Sequence, residues 1–181
     1  LFRSGLDYFD ETDADEFVGR EVLSEKITRH ISDMVSNVEE NQCKLLAVIG
    51  ASGSGKSSLV RAGVIPAIRK NRAWSGWSIH VITPSAHPLE SLATALEGQV
   101  SLAKAASLMD DLGRDTRTLA MYVKHKLVKP RGFRLVLVID QFEEVFALCR
   151  SEVERSSFID NLINASSTED GHTLVIISLR A

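Results

Sequence analysis

Four short, largely apolar runs rich in β-branched residues punctuate the chain, at 45–49, 79–83, 135–139 and 174–178. Each is too short for a typical helix, and apolar runs without alternation are what strands of a parallel sheet need when both faces are covered. Segments compatible with helix separate them, at 57–70, 88–108, 116–128 and 143–164, the last broken near Cys149. Such segments serve as the crossovers that parallel strands require. Ahead of the first strand, Leu23, Ile27, Ile31, Met34, Val35 and Val38 recur at spacings of three and four within 22–40, which predicts an amphipathic helix. Pro66 lacks a backbone donor and is expected to kink or stop the helix that contains it. The loops NRAWSGWS, VKPRGF and SSTEDGH carry turn residues, and there is no internal repeat. The pattern predicts one α/β domain around a parallel sheet of at least four strands.

Composition narrows the function classes. A chain of 181 residues supports one sizeable core. Its 44% hydrophobic and 25% charged residues are those of an ordinary globular protein. A formal charge of −3 gives no reason to expect non-specific attraction to nucleic acid or anionic lipid. Cys43 and Cys149 stand far apart and outside any metal-ligand spacing, so two buried thiols in a reducing compartment are expected in place of a disulfide. No apolar run approaches the roughly 20 residues of a membrane span, and a cytoplasmic location is expected. The sequence begins without methionine and stops at SLRA, just after the fourth predicted strand, so it is expected to be part of a longer chain.

The strongest local signal is LLAVIGASGSGKSSLV. Gly50, Gly55, Lys56 and Ser57 fit GxxxxGK[ST] between a predicted strand and a predicted helix, the context in which that pattern cradles phosphates. Successive backbone N–H groups at a helix N-terminus supply donors and a partial positive field. Gly53 and Gly55 permit backbone angles and close approaches that a Cβ would obstruct. Lys56 would reach the β and γ phosphates, and the Ser57 hydroxyl would be a ligand of Mg²⁺. The alternative is a glycine-rich turn that binds nothing, but the four fixed positions arise by accident in a chain this long about one time in a hundred or less. Gly50, Ala51, Ser52, Gly53, Ser54, Gly55, Lys56, Ser57 and Ser58 are therefore the candidate nucleotide-binding loop.

In RLVLVIDQFEEVF an apolar strand delivers Asp140 to its C-terminal end, where ligands of parallel sheets bind. Asp140 is the expected outer partner of Mg²⁺. Glu143 and Glu144 would polarise an attacking water, or would serve as acids favoured by a helix N-terminus. Arg180 closes the fourth strand, as a γ-phosphate sensor or in a surface ion pair. His30, His80, His87, His125 and His172 show no ligand spacing and are expected to be structural or solvated.

The segments FVGRE, IGASGSGKSSLVRAGVIPAI, TPSAHPLESLATAL, VLVIDQFEEVFALC and VIISLRA, in that order, resemble the bacterial STAND-type P-loop ATPases of the novel-STAND group. The resemblance covers nearly the whole chain. It implies that Val18, Gly19 and Arg20 form a box lying against the adenine and its sugar. It implies also that Asp140 is the Walker B aspartate, that Glu143 and Glu144 are the downstream acidic pair, and that Arg180 is the γ-phosphate sensor. Related ATPases place an acid directly after the Walker B aspartate, where this chain has Gln141. Glu144 is then the expected water-activating residue. The implied fold is a three-layer P-loop NTPase of the ASCE type with strand order 1-4-3-2. Residues 1–40 would carry the base box and first helix, and residues 41–181 the core. A helical lid, a winged helix and fused sensor and effector domains would lie outside this sequence.

The leading expectation is an ATP/ADP- and Mg²⁺-binding switch with slow hydrolysis, whose nucleotide state controls self-association of the full-length protein through regions outside this sequence. Neither nucleic acid nor membrane is expected as a direct partner. A nucleotide-stabilised scaffold without turnover is the alternative. A P-loop kinase would need an acceptor pocket and an arginine-rich lid that are not evident. A GTPase reading finds DDLG at 110–113, but this follows no predicted strand and no NKxD motif exists.

Overall fold

All four apolar runs become strands of one parallel sheet: β1 (Leu45–Gly50), β2 (Ser78–Ile82), β3 (Leu135–Ile139) and β4 (Thr173–Arg180), in the order β1-β4-β3-β2. The expected order 1-4-3-2 is the observed one. The structure is a computed structural model that describes residues 19–36, 43–98, 101–127, 134–168 and 172–181. Val18, Val38 and residues 128–133, expected to be a loop, lie outside the described residues.

β3 is the middle of the core, and Leu135, Val136, Leu137, Val138 and Ile139 all have 0% exposure. Side chains alternate between faces along a strand, and the two faces are covered by different helices. Leu135, Leu137 and Ile139 pack with Leu92, Leu112, Leu119, Val145 and Phe158. These come from α4 (Pro88–Glu97), α5 (Leu102–Arg114), α6 (Thr118–Tyr122), α7 (Glu144–Leu148) and α8 (Glu152–Ser166). Val136 and Val138 face the other way, toward Ile31, Val60, Val64, Ile65 and Ile68. That layer is built from α1 (Glu21–Ser36) and the helix following β1. The result is a three-layer α/β architecture. No helix among the described residues is long and apolar enough to cross a membrane.

The helix after β1 is α-helical at α2 (Lys56–Ser58), π-helical at Leu59–Val64, and α-helical again at α3 (Ile65–Lys70). Of the two outcomes expected at Pro66, a kink or a stop, the stop does not occur, and the helix runs on to Lys70. Ile65 N–H donates to the Val60 carbonyl, the wider π-type bond, and Pro66 then falls in the first turn of α3, where a missing donor costs little. The segment 88–108 is two helices, because Gly98 at φ 70° closes α4 with a backbone that other residues rarely adopt. The expected break near Cys149 is present: α7 ends there, and the Ser151 hydroxyl accepts the Glu154 N–H at 3.2 Å to start α8. Both thiols are free, but Cys43 is exposed; only Cys149 is buried as expected. Cys43 sits just ahead of β1, outside the packed layers, with Sγ 3.2 Å from the Ser166 hydroxyl.

The helical layer on the β3–α8 side is locked by one polar side chain. Asn161 has 0% exposure; its amide donates to the carbonyls of Leu112 and Ser157 at 2.9 Å each, and its oxygen accepts the Leu119 N–H at 3.1 Å. It thereby ties the end of α5 and the start of α6 to α8. Asn161→Leu takes the partner from the Leu112 carbonyl and the Leu119 N–H, while the Ser157 carbonyl keeps its bond within α8, and each buried group so deprived costs about 1–3 kcal/mol. We expect the variant to lose about 3 kcal/mol, read as a lower urea midpoint at unchanged slope.

Candidate functional site

Strand register brings three separate sequence regions to the C-terminal edge of the sheet. Gly50 pairs with Arg180, Ala181 N–H donates to the Gly50 carbonyl at 3.2 Å, and Asp140 N–H donates to the Ile82 carbonyl at 2.8 Å. Asp140 continues the alternation of Val136 and Val138, so it faces the layer that carries α2. The loop after β1 delivers Ser57 to the same place.

Asp140 is buried at 3% exposure and its carboxylate is held from three directions. Ser57 Oγ donates to Oδ1 at 2.8 Å, Ser178 Oγ donates to Oδ1 at 2.6 Å, and Arg61 Nε donates to Oδ2 at 3.0 Å. A carboxylate taken from water without partners would cost several kcal/mol, and hydrogen bonds to a charged group return about 1.5–3 kcal/mol each. Neither Arg61 nor Ser178 was singled out from sequence. The available signals were that Arg61 lies four residues beyond Ser57, about one helical turn, and that Ser178 is the polar residue following Leu174 and Ile176 on one strand face.

The loop itself is shaped for close approach. Gly53 and Gly55 have φ of 71° and 80°, in the left-handed region that favours glycine. At Gly50, a Cβ would stand 3.0 Å from Ser54 Oγ. Lys56 Nζ donates to the carbonyls of Gly50 and Ala51 at 2.9 Å each, so the ammonium folds over its own loop. Phosphate oxygens carry full charge and are stronger acceptors than these carbonyls. Ala51, Ser52 and Gly53 are exposed, Ser54, Gly55, Lys56 and Ser57 are half-buried, and Ser58 turns into the interior.

Arg20 and Gly19 flank the loop. The Arg20 guanidinium carbon lies 3.4 Å from where a Cβ on Gly55 would be. Gly19 N–H donates to both Glu21 carboxylate oxygens at 3.0 Å, which holds the Glu21 carboxyl below its ordinary range. The third member of the predicted base box, Val18, is outside the described residues.

Beyond Asp140 the chain turns sharply. Gln141 adopts φ 56°, a conformation uncommon for a residue other than glycine. Its N–H donates to Ser178 Oγ at 3.0 Å, and Phe142 N–H donates to the Ser178 carbonyl at 2.8 Å. The turn places Glu143 against the tip of β4, where Glu143 Oε2 accepts the Arg180 N–H at 3.2 Å. Glu144 opens α7, and the Arg180 side chain is exposed. The DDLG segment lies inside α5 and follows no strand directly. Among the described residues no group of three or more His, Cys, Asp and Glu comes together as a metal cluster. The Ser57 hydroxyl and Asp140 carboxylate are oxygen donors, the set that suits a hard cation such as Mg²⁺ alongside phosphate oxygens.

A sequence model of the family described as Novel STAND NTPase 1 matches residues 4–181. Comparison with curated proteins gives no match. Among solved structures, the chain is similar to the Aeropyrum pernix ORC2 protein in its ADPNP–ADP complexes, with a TM-score of 0.56 and 18% identity over 95% of this chain and 45% of that one. It is similar also to Drosophila ORC bound to DNA, with a TM-score of 0.54 and 18% identity over 100% of this chain and 46% of that one. The chain thus corresponds to less than half the length of either structure. At such identity the likeness concerns the fold.

Ser178→Ala removes one donor to Asp140 and strands the Gln141 N–H. We expect a loss of about 1–3 kcal/mol in the absence of any ligand, measured by thermal or urea unfolding.

Proposed function

The chain belongs to the Novel STAND NTPase 1 family, and on that footing we propose that it binds ATP and ADP at the loop 50–58 and serves as the nucleotide-sensing part of a larger switch protein. The observation that carries this reading is the Ser57 hydroxyl at 2.8 Å from Asp140 Oδ1, beside a loop whose glycines take left-handed angles. Backbone N–H groups of the loop would hold the phosphates, Lys56 would leave its two carbonyls for the β and γ phosphates, and Gly19, Arg20 and Val18 would lie toward the base. Ser57 and Asp140 are the residues that would hold Mg²⁺, which when bound neutralises phosphate charge.

For hydrolysis we assign the water-positioning role to Glu143 ahead of Glu144. Its carboxylate is tied to the backbone at the tip of β4, beside the strand pair that carries the phosphate loop. Arg180 follows on that tip, and its exposed side chain is free to swing toward a γ phosphate. Gln141, standing where related ATPases carry an acid, favours a second reading in which turnover is negligible and nucleotide acts as a ligand only. In either case the switch is an equilibrium biased by different affinities of two conformations for ATP and ADP. Self-association would be the output in the full-length protein. We propose a cytoplasmic location, where ATP and free thiols coexist. DNA is a ligand of the Drosophila complex; this chain has a formal charge of −3 and so no net basic excess, and we do not propose DNA as its ligand.

The test is binding of labelled ATP and ADP with Mg²⁺, with phosphate release followed in the same samples. Lys56→Ala should weaken binding by about 1.5–3 kcal/mol, roughly 10- to 150-fold. If the parent turns over ATP, Glu143→Gln should slow release about 100-fold or more at unchanged affinity, and Glu144→Gln much less. Equal binding by parent and Lys56→Ala would refute the reading.

A further inference from the structure

Among the described residues Arg61 is the one cation bonded to Asp140, and nothing in the phosphate-loop pattern calls for it. It lies in the π-helical stretch Leu59–Val64, a rare geometry that tends to occur at functional sites. Its side chain is 12% exposed and its Nε is 3.0 Å from Oδ2. The two carboxylate oxygens are thereby divided. Oδ1 is turned to the Ser57 hydroxyl, and Oδ2 is taken by Arg61.

That division distinguishes two roles. An arginine bonded to Oδ1 would compete with any cation held by Ser57 and Asp140. An arginine bonded to Oδ2 fixes the rotation of the carboxylate and leaves Oδ1 on the Ser57 side. We infer that Arg61 is a positioning residue for the divalent cation that accompanies the nucleotide, acting through Asp140. The inference rests on the nucleotide reading given above.

The chemistry favours arginine over lysine here. Its planar guanidinium constrains the direction from which it meets a carboxylate, whereas an ammonium is a point charge on a flexible stem. Ser57 and Arg61 also ride on one continuous helix, so whatever orders the phosphate loop orders the clamp. Ser178 contributes a neutral donor to Oδ1 and cannot replace this orientation from the other oxygen.

Arg61→Met keeps an unbranched stem and removes the donor; Arg61→Lys keeps the charge and removes the planar fork. The affinity of ATP for the full chain and for each variant is measured by calorimetry in Mg²⁺ and again in EDTA, with thermal melting of the ligand-free proteins alongside. Loss of a group that orients a metal ligand typically lowers metal affinity about 10- to 100-fold. We expect Arg61→Met to lose about that factor from the Mg²⁺-dependent gain in ATP affinity while its affinity in EDTA stays within about twofold. Arg61→Lys should recover part of the gain.

Equal losses in Mg²⁺ and EDTA would reduce Arg61 to a structural residue. A larger gain from Mg²⁺ in Arg61→Met would make Arg61 a competitor of the cation, and an unchanged gain would leave it no role; each overturns the inference alone. A parent chain that binds ATP in neither buffer overturns the nucleotide reading and this inference together. If Arg61→Met fails to fold, Arg61→Lys decides: a Mg²⁺ gain at the parent level refutes the role.

Discussion

A carboxylate at 3% exposure is tolerated only where every oxygen is met, and Asp140 meets that condition by drawing three side chains from two elements. Ser57 and Arg61 come from the helix after β1, and Ser178 comes from β4. The same side chain that would approach a metal is therefore the pin between the phosphate-loop helix and two strands. Fold and site share this junction. A change there is felt as instability, because removing one partner of a buried ion pair leaves the other uncompensated.

The sheet order makes the junction possible. With β4 between β1 and β3, the strand that ends in Ser178, Leu179 and Arg180 stands between the glycine loop and Asp140. Its backbone is used on both sides: Ala181 N–H on Gly50, and Arg180 N–H on Glu143. A shift of β4 would move the loop and the acidic pair together. The left-handed Gln141 is the local cost of that arrangement, about 1–3 kcal/mol for such a conformation. It turns the chain so that Glu143 comes back against β4 and α7 can begin.

Much of this was legible in the sequence, for physical reasons that also mark the limits. A strand buried on both faces leaves an unbroken apolar run, so β3 could be placed to the residue; β1, an edge strand that is only partly covered, carries an equally apolar run and was placed within one residue. The glycine loop was legible because its chemistry is local, with backbone, Lys56 and Ser57 lying within eight residues of one another. The strand order came from resemblance and not from pattern, since pairing joins segments that nothing local connects. Arg61 and Ser178 went unread for the same reason: their partner Asp140 is 79 and 38 positions away. The break at Gly98 was missed because an isolated glycine inside an otherwise apolar-periodic stretch can be tolerated within a helix, and its left-handed backbone is not written in the pattern. Pro66 misled in the opposite direction, since the π-helical turn before it was not visible as a periodicity.

The claim at the centre of this account is that Asp140 serves the fold through hydrogen bonding and a divalent cation through charge. Asp140→Asn keeps an oxygen acceptor for Ser57 and Ser178 while removing the negative charge and the Oδ2 acceptor of Arg61, so a lower melting temperature is expected beside the change in cation response. Titrating ATP into the parent and the variant, each with and without Mg²⁺, is the most direct measurement. The account predicts a variant with an unchanged circular dichroism spectrum and unchanged affinity in EDTA that no longer gains affinity from Mg²⁺. A Mg²⁺ gain equal to the parent's would contradict it, and would leave Asp140 as a structural pin alone.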